Sequence, residues 1–434
     1  MLVTARSDNH PAVSGPDLDV VVFGATGVTG HRVAAHLFEQ SAQTGARWAA
    51  AARDAGKLER ILAEDGVSGA ETIVADLRDP ASLARMASRT KVVLNLVGPY
   101  TLYARPVIEA CLAGGAHYLD LTGEIPFVRE VIDDFDDRAR DANVKLVQVS
   151  GFEALPPDLA VLLAAETARE RWDEGLVSVA LEVATTPPPG VPRPSDVLSG
   201  GTMQSMAAVM DRPDAAVAAD PAALIDDPAS ARRVRAASPI EVTPRHGDGG
   251  AVIAPMSPSA FINPAVIQRT AALLAAEAKT PFRPFRYREG VAIRGSTITL
   301  PLRYAAAGML SGTQAVLRAA ARAHPGVRRR AAGAMRAILP GSGFGPKGDR
   351  VEGFSWEMSV DALTTGGNGI RVEVAADGHP GYLTTARMLG EAGLLLAEPG
   401  ATPDRAGCLT PATALGTGCL PRFERARLRF SVGA

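Results

Sequence analysis

The stretch Val20–Arg32, VVVFGATGVTGHR, constrains this chain more than any other. Val20, Val21, Val22 and Phe23 run without alternation, the pattern of a strand buried on both faces. The run breaks into Gly24, Gly27 and Gly30 and then into a helical pattern. A strand, a glycine turn and a helix start in that order aim backbone N–H groups and a positive helix end at one point, where a phosphate can sit. Gly24 permits the tight turn, Gly27 the approach of a pyrophosphate, and Gly30 close packing of the helix on the sheet. A dinucleotide is therefore expected along this turn, against Gly24 and Gly27. The spacing is GxxGxxG, not the commoner GxGxxG.

Apolar runs recur behind this one, at Arg47–Ala52, Glu71–Ala75, Lys91–Val97, His117–Leu121 and Val144–Ser150, with amphipathic segments between them. In the last of these segments Val128, Val131, Ile132 and Phe135 fall at i, i+3, i+4 and i+7, one face of a helix. Six strands with crossover helices predict a parallel, doubly wound sheet whose ligand lies at the carboxyl ends of the strands.

Those strand ends supply the next candidates. The second strand closes in AAAR, putting Arg53 where a NAD site carries an acid, with Lys57 one helical turn on. Two cations there suit the 2′-phosphate of NADP(H); Arg53 as a plain surface charge is the competing reading. Asp76, after the third strand, offers either an adenine-side contact or a cap for the next helix. The fourth strand runs into NLVGPYTLYARP, a loop expected beside the nicotinamide. Its Tyr100 and Tyr103 can act as hydrogen-bond donors or general acids, or simply pack. Asp120 and Glu124 close the fifth strand, as substrate or proton-relay groups or as structural ones.

The glycine pattern also occurs in short-chain reductases, which use Tyr-x-x-x-Lys. None of the six tyrosines has Lys four residues on, so that chemistry is excluded. A net charge of −2, with 45 basic against 47 acidic residues, argues against nucleic acid as a partner. Cys111, Cys408 and Cys419 form no CxxC, so a reducing cytoplasm is expected. His31 and His36 are offset by five and miss the i, i+4 spacing of a metal pair, so no metal is expected. No GxSxG occurs, which removes hydrolase chemistry. No run approaches the ~20 apolar residues of a spanning helix. The basic run at Arg328–Arg330 reads as a solvated helix end or as an anionic-ligand or membrane contact.

Four motifs in order, GATGVTG, NLVGPYTLYARPVIEAC, HYLDLTGE and SGFEALPPDLAV, resemble the saccharopine dehydrogenase-like oxidoreductases, and within them the actinobacterial trans-acting enoyl reductases. DGHPGYLTTARMLGEAGLLLA and CLTPATALG resemble the closing segment of the same family. The resemblance implies a Rossmann-type doubly wound parallel sheet and a second α/β domain built around a mixed sheet. It implies NADP(H) contacts at Gly24 to Thr29, Arg53, Val97, Gly98 and Pro99, and a cleft side formed by Ser199, Gly200, Gly201 and Thr202. The chain departs from the family where Ala104 replaces a common Gly and where Glu153 replaces an Asp in GFDxxPxD. A longer carboxylate in a cleft-lining turn alters substrate fit, so Glu153 joins Glu124 as a substrate-side candidate.

The expected organisation is a tail over residues 1–18, an NADP-binding domain over 19–155 and a substrate domain over 156–376. Residues 377–434 should return to the first domain. Within the second domain, residues 185–262 read as loops with short helices. Helices are expected at Ser199–Met210, Pro264–Lys279 and Ala305–Leu339, and a hairpin is expected around TTGGNG. The implied activity is NADPH-dependent reduction of an α,β-unsaturated acyl or polyketide thioester, on a small molecule or a carrier. Its rivals are imine (C=N) reduction and a non-catalytic NADP-binding protein at a membrane or lipid surface. A homodimer and a peripheral membrane contact stay open.

Overall fold

The computed structural model describes residues 15–190, 193, 196, 200–247, 250–255, 259–295, 299–338 and 348–433. The first half alternates strictly: β1 (Leu18–Phe23), α1 (Gly30–Thr44), β2 (Trp48–Ala52), α2 (Ala55–Glu64), β3 (Glu71–Val74), α3 (Pro80–Ser88) and β4 (Thr90–Asn95). A single turn, α4 (Tyr100–Tyr103), leads into α5 (Arg105–Gly114), β5 (His117–Asp120), α6 (Ile125–Asp141) and β6 (Lys145–Val147). These strands pair in parallel in the order β6-β5-β4-β1-β2-β3, as the alternation of apolar runs and helices predicts.

The two faces of this sheet follow the period of two along each strand. Val20, Val22, Val92, Leu94 and Leu119 point to one side, and Val21, Phe23, Val93 and Tyr118 to the other. Both sets are buried, so the strands read as unbroken apolar runs.

The second half opens with α7 (Leu155–Trp172), buried along most of its first three turns. Then come β7 (Leu176–Thr186), α8 (Gly200–Asp211), α9 (Pro228–Ala237), β8 (Arg245–His246), β9 (Val252–Ala254), α10 (Ser259–Glu277) and β10 (Arg286–Ile293). Two helices follow, α11 (Leu300–Ala321) and α12 (Pro325–Ile338), then the hairpin β11 (Ser355–Thr364) and β12 (Gly369–Asp377). The chain closes with α13 (Thr385–Ala397), β13 (Gly407–Leu409), α14 (Pro411–Leu415) and β14 (Leu428–Val432).

The second sheet is mixed, in the order β14-β12-β11-β7-β10-β9-β8, with β7 and β10 parallel. Three differences from the sequence reading have physical causes. The segment read as loops supplies the end of β7 and all of β8 and β9. Their pairing is tertiary, and the surrounding Pro and Asp hide it. The long helix of residues 305–339 is two helices, broken at Arg322–His324, with Pro325 starting the second where its missing N–H costs nothing. Residues 407–409, where no strand is expected, form β13, which pairs parallel with β6 at the edge of the first sheet.

The closing segment ties the sheets together. Helix α13 is buried over almost its whole length and packs on β1, β4 and α1, and β14 pairs with β12 in the second sheet. One apolar core runs from Val22 and Leu94 through Leu159 and Leu389 to Val360 and Val372.

Candidate active site

β1 and β4 lie side by side although five elements separate them in sequence. Helices leave the sheet in opposite directions here, which opens a crevice at the strand ends. Register sets Phe23 against Asn95, so the loops after both strands meet. Gly24 takes φ +90°, its N–H donates to the Ala51 carbonyl at 2.9 Å, and its own carbonyl accepts from Gly27 N–H at 3.0 Å. A Cβ on Gly24 would stand 2.9 Å from Val97 Cγ2. A Cβ on Gly30 would stand 2.2 Å from the Gly24 carbonyl oxygen, so only glycine lets α1 start this close to the loop. The first turn of α1 carries no acid. The result is a cradle of backbone that fits a pyrophosphate.

The cradle opens into a cleft of about 1010 Å³. Gly24, Thr26, Gly27, Val28, Thr29, Arg53, Lys57, Asp76, Val97, Gly98 and Pro99 all line it, as do Tyr100, Tyr103, Glu124, Glu153 and Gly201. Ala25 does not: it is packed under the loop with its N–H bonded to the Ala51 carbonyl at 3.2 Å. Gly200 begins α8 but is not in the lining. Ser199 and the Thr202 side chain lie outside the described residues.

At one end Arg53, Lys57 and Arg78 gather at the exits of β2 and β3. Arg78, which the sequence reading passed over, holds Asp76 through two bonds of 3.0 and 3.3 Å. That hydrogen-bonded guanidinium keeps the Asp76 carboxyl well below the usual carboxylate range. Asp76 also accepts the N–H of Arg78 at 2.9 Å, so it shapes the turn that presents Arg78. These three are the cleft's cations among the described residues, and a phosphate monoester on a ribose suits them.

In the middle, the tyrosines separate into two kinds. Tyr100 is buried, and its hydroxyl donates to the Asn95 carbonyl at 3.4 Å and accepts from Leu121 N–H at 3.3 Å. Burial, with Asp120 nearby, pushes its phenol well above the ordinary value. Tyr103 is 41% exposed, and its hydroxyl has no partner among the described residues. Glu124 is fully buried and accepts the N–H groups of Tyr100 at 2.9 Å and Thr101 at 2.8 Å. It thereby satisfies the first donors of α4 and fixes the tyrosine loop, whose Gly98–Pro99 peptide is cis.

Asp120 stands behind the lining. It accepts from Tyr118 OH at 2.8 Å, Thr122 N–H at 3.0 Å and Val149 N–H at 3.2 Å, and burial lifts its carboxyl to about 7. Glu153 does line the cleft. Burial raises its carboxyl above the ordinary value, against the smaller opposing pull of its own backbone N–H.

The far end is mostly apolar and uncharged, with Gln204 and Ser205 as its polar side chains from α8. Met206, Val209 and Met210 from α8, Phe261 and Ile262 from α10, and Leu317 from α11 line it. Tyr382 and Thr385, at the entry to α13, complete the wall beside Glu153. The closing segment carried part of the resemblance, yet no sequence signal says that it folds back onto this wall.

The comparisons agree with this geometry. The family model described as saccharopine dehydrogenase NADP binding domain matches residues 20–147. A Mycobacterium tuberculosis H37Rv protein provisionally named a trans-acting enoyl reductase is 32% identical over 430 residues, covering 94% of this chain and 96% of that one. A Mycobacterium ulcerans protein named trans-acting enoyl reductase is 29% identical over 424 residues, covering 94% and 96%. Apo saccharopine dehydrogenase (L-Glu forming) from Saccharomyces cerevisiae shares the fold, with a TM-score of 0.50 at 14% identity over 96% of this chain and 99% of that chain. With a backbone cradle and a cationic rim that fit the dinucleotide, this chain belongs to the saccharopine dehydrogenase-like oxidoreductases, in the company of the trans-acting enoyl reductases, as an NADP-dependent enzyme.

Proposed function

We propose that the enzyme reduces the carbon–carbon double bond of an α,β-unsaturated acyl thioester, presented on a carrier. One observation carries this choice over imine reduction. The cleft's cations among the described residues all sit at its nucleotide end, and the substrate end is lined mostly by Met, Val, Phe, Ile and Leu, with the uncharged Gln204 and Ser205 beside them. A charged amino-acid imine needs a cation for its carboxylate, whereas an acyl chain needs apolar walls. The names of the relatives support the same reading.

When bound, NADPH supplies the hydride, which adds to the β-carbon of the thioester. The double-bond electron pair moves toward the carbonyl, and the α-carbon then needs a proton. Tyr103 donates a hydrogen bond to the thioester oxygen and stabilises the charge developing there. Glu153, whose acid form burial favours, delivers the proton to the α-carbon and is reprotonated from solvent. The apolar end holds the acyl chain and keeps water from the reacting carbons. Glu124 holds the tyrosine loop in place without touching substrate.

NADPH oxidation against two substrate panels, enoyl thioesters and amino-acid imines, tests the assignment, with NADH as a control. Activity on the thioesters and not the imines is expected, and the reverse overturns it. Glu153→Gln should lower kcat by about a hundredfold or more with NADPH affinity unchanged. In the wild type, kcat should fall as pH rises through the raised Glu153 pKa, because the acid form is the active one. The residual activity of Glu153→Gln should lack that limb.

A further inference from the structure

Helix α11 packs Leu300, Ala307 and Leu317 inward but buries polar side chains beside them and leaves a second apolar face to water. Its inward face carries Arg303, Ser311 and Gln314, together with Ala307 and Ala321. The Ser311 hydroxyl and both amide atoms of Gln314 are buried with no hydrogen-bond partner among the described residues. Its outward face presents Leu302, Met309 and Val316, at 72%, 74% and 66% exposure. Those three lie at i, i+7 and i+14, one stripe about 21 Å long, with Leu310 beside it. A surface helix ordinarily turns its apolar stripe to the core and its polar residues to water. Scattered exposed aliphatics are common, but a continuous stripe marks a surface that meets something apolar.

The neighbouring charge identifies what that is. Residues 290–348 contain no Asp or Glu, in a chain whose net charge is −2. At the start of α12, exposed Val327 adjoins exposed Arg329 and Arg330, neither of which forms an ion pair among the described residues. An isologous pairing of α11 and the first turn of α12 with their own copies would set these arginines against segments that carry no acid. An acidic protein would satisfy the arginines but leave the aliphatic stripe without a match. An interface of acyl chains beneath anionic headgroups satisfies both. No helix among the described residues is long and apolar enough to cross a membrane, so the element lies along the surface.

We infer that α11 and the first turn of α12 dock the enzyme on an anionic lipid surface. The same helix lines the cleft through Leu317 and Ala321, so docking brings the apolar end of the cleft to the bilayer. The benefit to acyl substrates rests on the function proposed above; the docking itself does not.

The test is co-sedimentation of the full chain with vesicles of phosphatidylcholine, alone or mixed with phosphatidylglycerol. Binding to the mixed vesicles, weakened by salt, is expected. Leu302→Ser/Met309→Ser/Val316→Ser should lower it at least tenfold, and Arg329→Gln/Arg330→Gln by roughly fivefold per arginine at low salt. Unchanged NADPH affinity in each variant shows that the fold is intact and keeps this result separate from enoyl reductase activity. No binding to mixed vesicles overturns the inference, as does wild-type binding by the triple serine variant. Equal binding to both vesicle types removes the anionic requirement and overturns it too. So does loss, in the triple variant, of self-association or of capture by an acidic carrier protein when the wild type binds no vesicle.

Discussion

Arg53 and Arg78 illustrate how much a single position can decide. A NAD site carries an acid at the end of the second strand, to bond the ribose hydroxyls. Here that end bears Arg53, and the exit of β3 adds Arg78, positioned by Asp76. Arg53→Ala and Arg78→Ala should each raise the Kd for NADPH about tenfold and leave that for NADH within about twofold, measured by cofactor fluorescence titration. Arg53 was legible in the sequence because it closes an apolar run. Arg78 was not, because a surface arginine four residues past a strand has no pattern until the turn is folded. Tyr100 and Tyr103 look equivalent in NLVGPYTLYARP, and only the hydrogen bonds separate them. Because the Tyr100 hydroxyl is engaged by main chain, Tyr100→Phe should cost a few degrees in Tm and less than about threefold in kcat. Tyr103→Phe should lower kcat by more than tenfold.

Among the elements, α4 is the most dependent on one side chain. A four-residue turn has too few hydrogen bonds to hold itself. The Glu124 carboxylate reaches it from the segment after β5 and takes both of its first N–H groups. Glu124→Ala leaves two buried donors without acceptors and should cost about 2–4 kcal/mol in a urea melt, with a raised KM for NADPH as the Val97–Tyr103 loop loosens. Glu124→Gln keeps one acceptor oxygen and should cost less than half of that. The strands of the first sheet were readable because each is an apolar run of four to six residues, save β6, followed by a helix. β13 is three residues long and owes its existence to its pairing with β6, so no local pattern announces it. β8 and β9 are equally short and hidden for the same reason. The glycine turn was legible down to the roles of Gly24 and Gly30, because close approach of backbone leaves a mark in residue type.

For the whole molecule, three acids share an unusual position. Asp120, Asp158 and Glu289 are fully buried, and burial raises each carboxyl to about 7. Asp158 joins three helices, accepting from Thr270 OH at 2.6 Å and Ala412 N–H at 2.8 Å. Glu289 takes Tyr287 OH and Asn263 Nδ2 on one oxygen, and the other has no partner among the described residues. Between the unfolded value near 4 and the folded value near 7, the native state binds more protons than the unfolded chain, so stability falls as pH rises. Tm should therefore drop between about pH 5 and about pH 8 in a differential scanning measurement, and Glu289→Gln should flatten the slope. The closing segment bears on the birth of the protein as well as its stability. Residues 19–147 leave the ribosome first, yet the face of the sheet bearing Val20, Val22 and Leu94 is covered in part by α13. At about 5–20 residues per second, that face waits roughly ten seconds to a minute for its cover. A nascent chain of this kind holds an apolar surface open to the cytosol through most of its translation. It is thus a natural client for a holding chaperone, and slow codons downstream of residue 150 would lengthen its exposure.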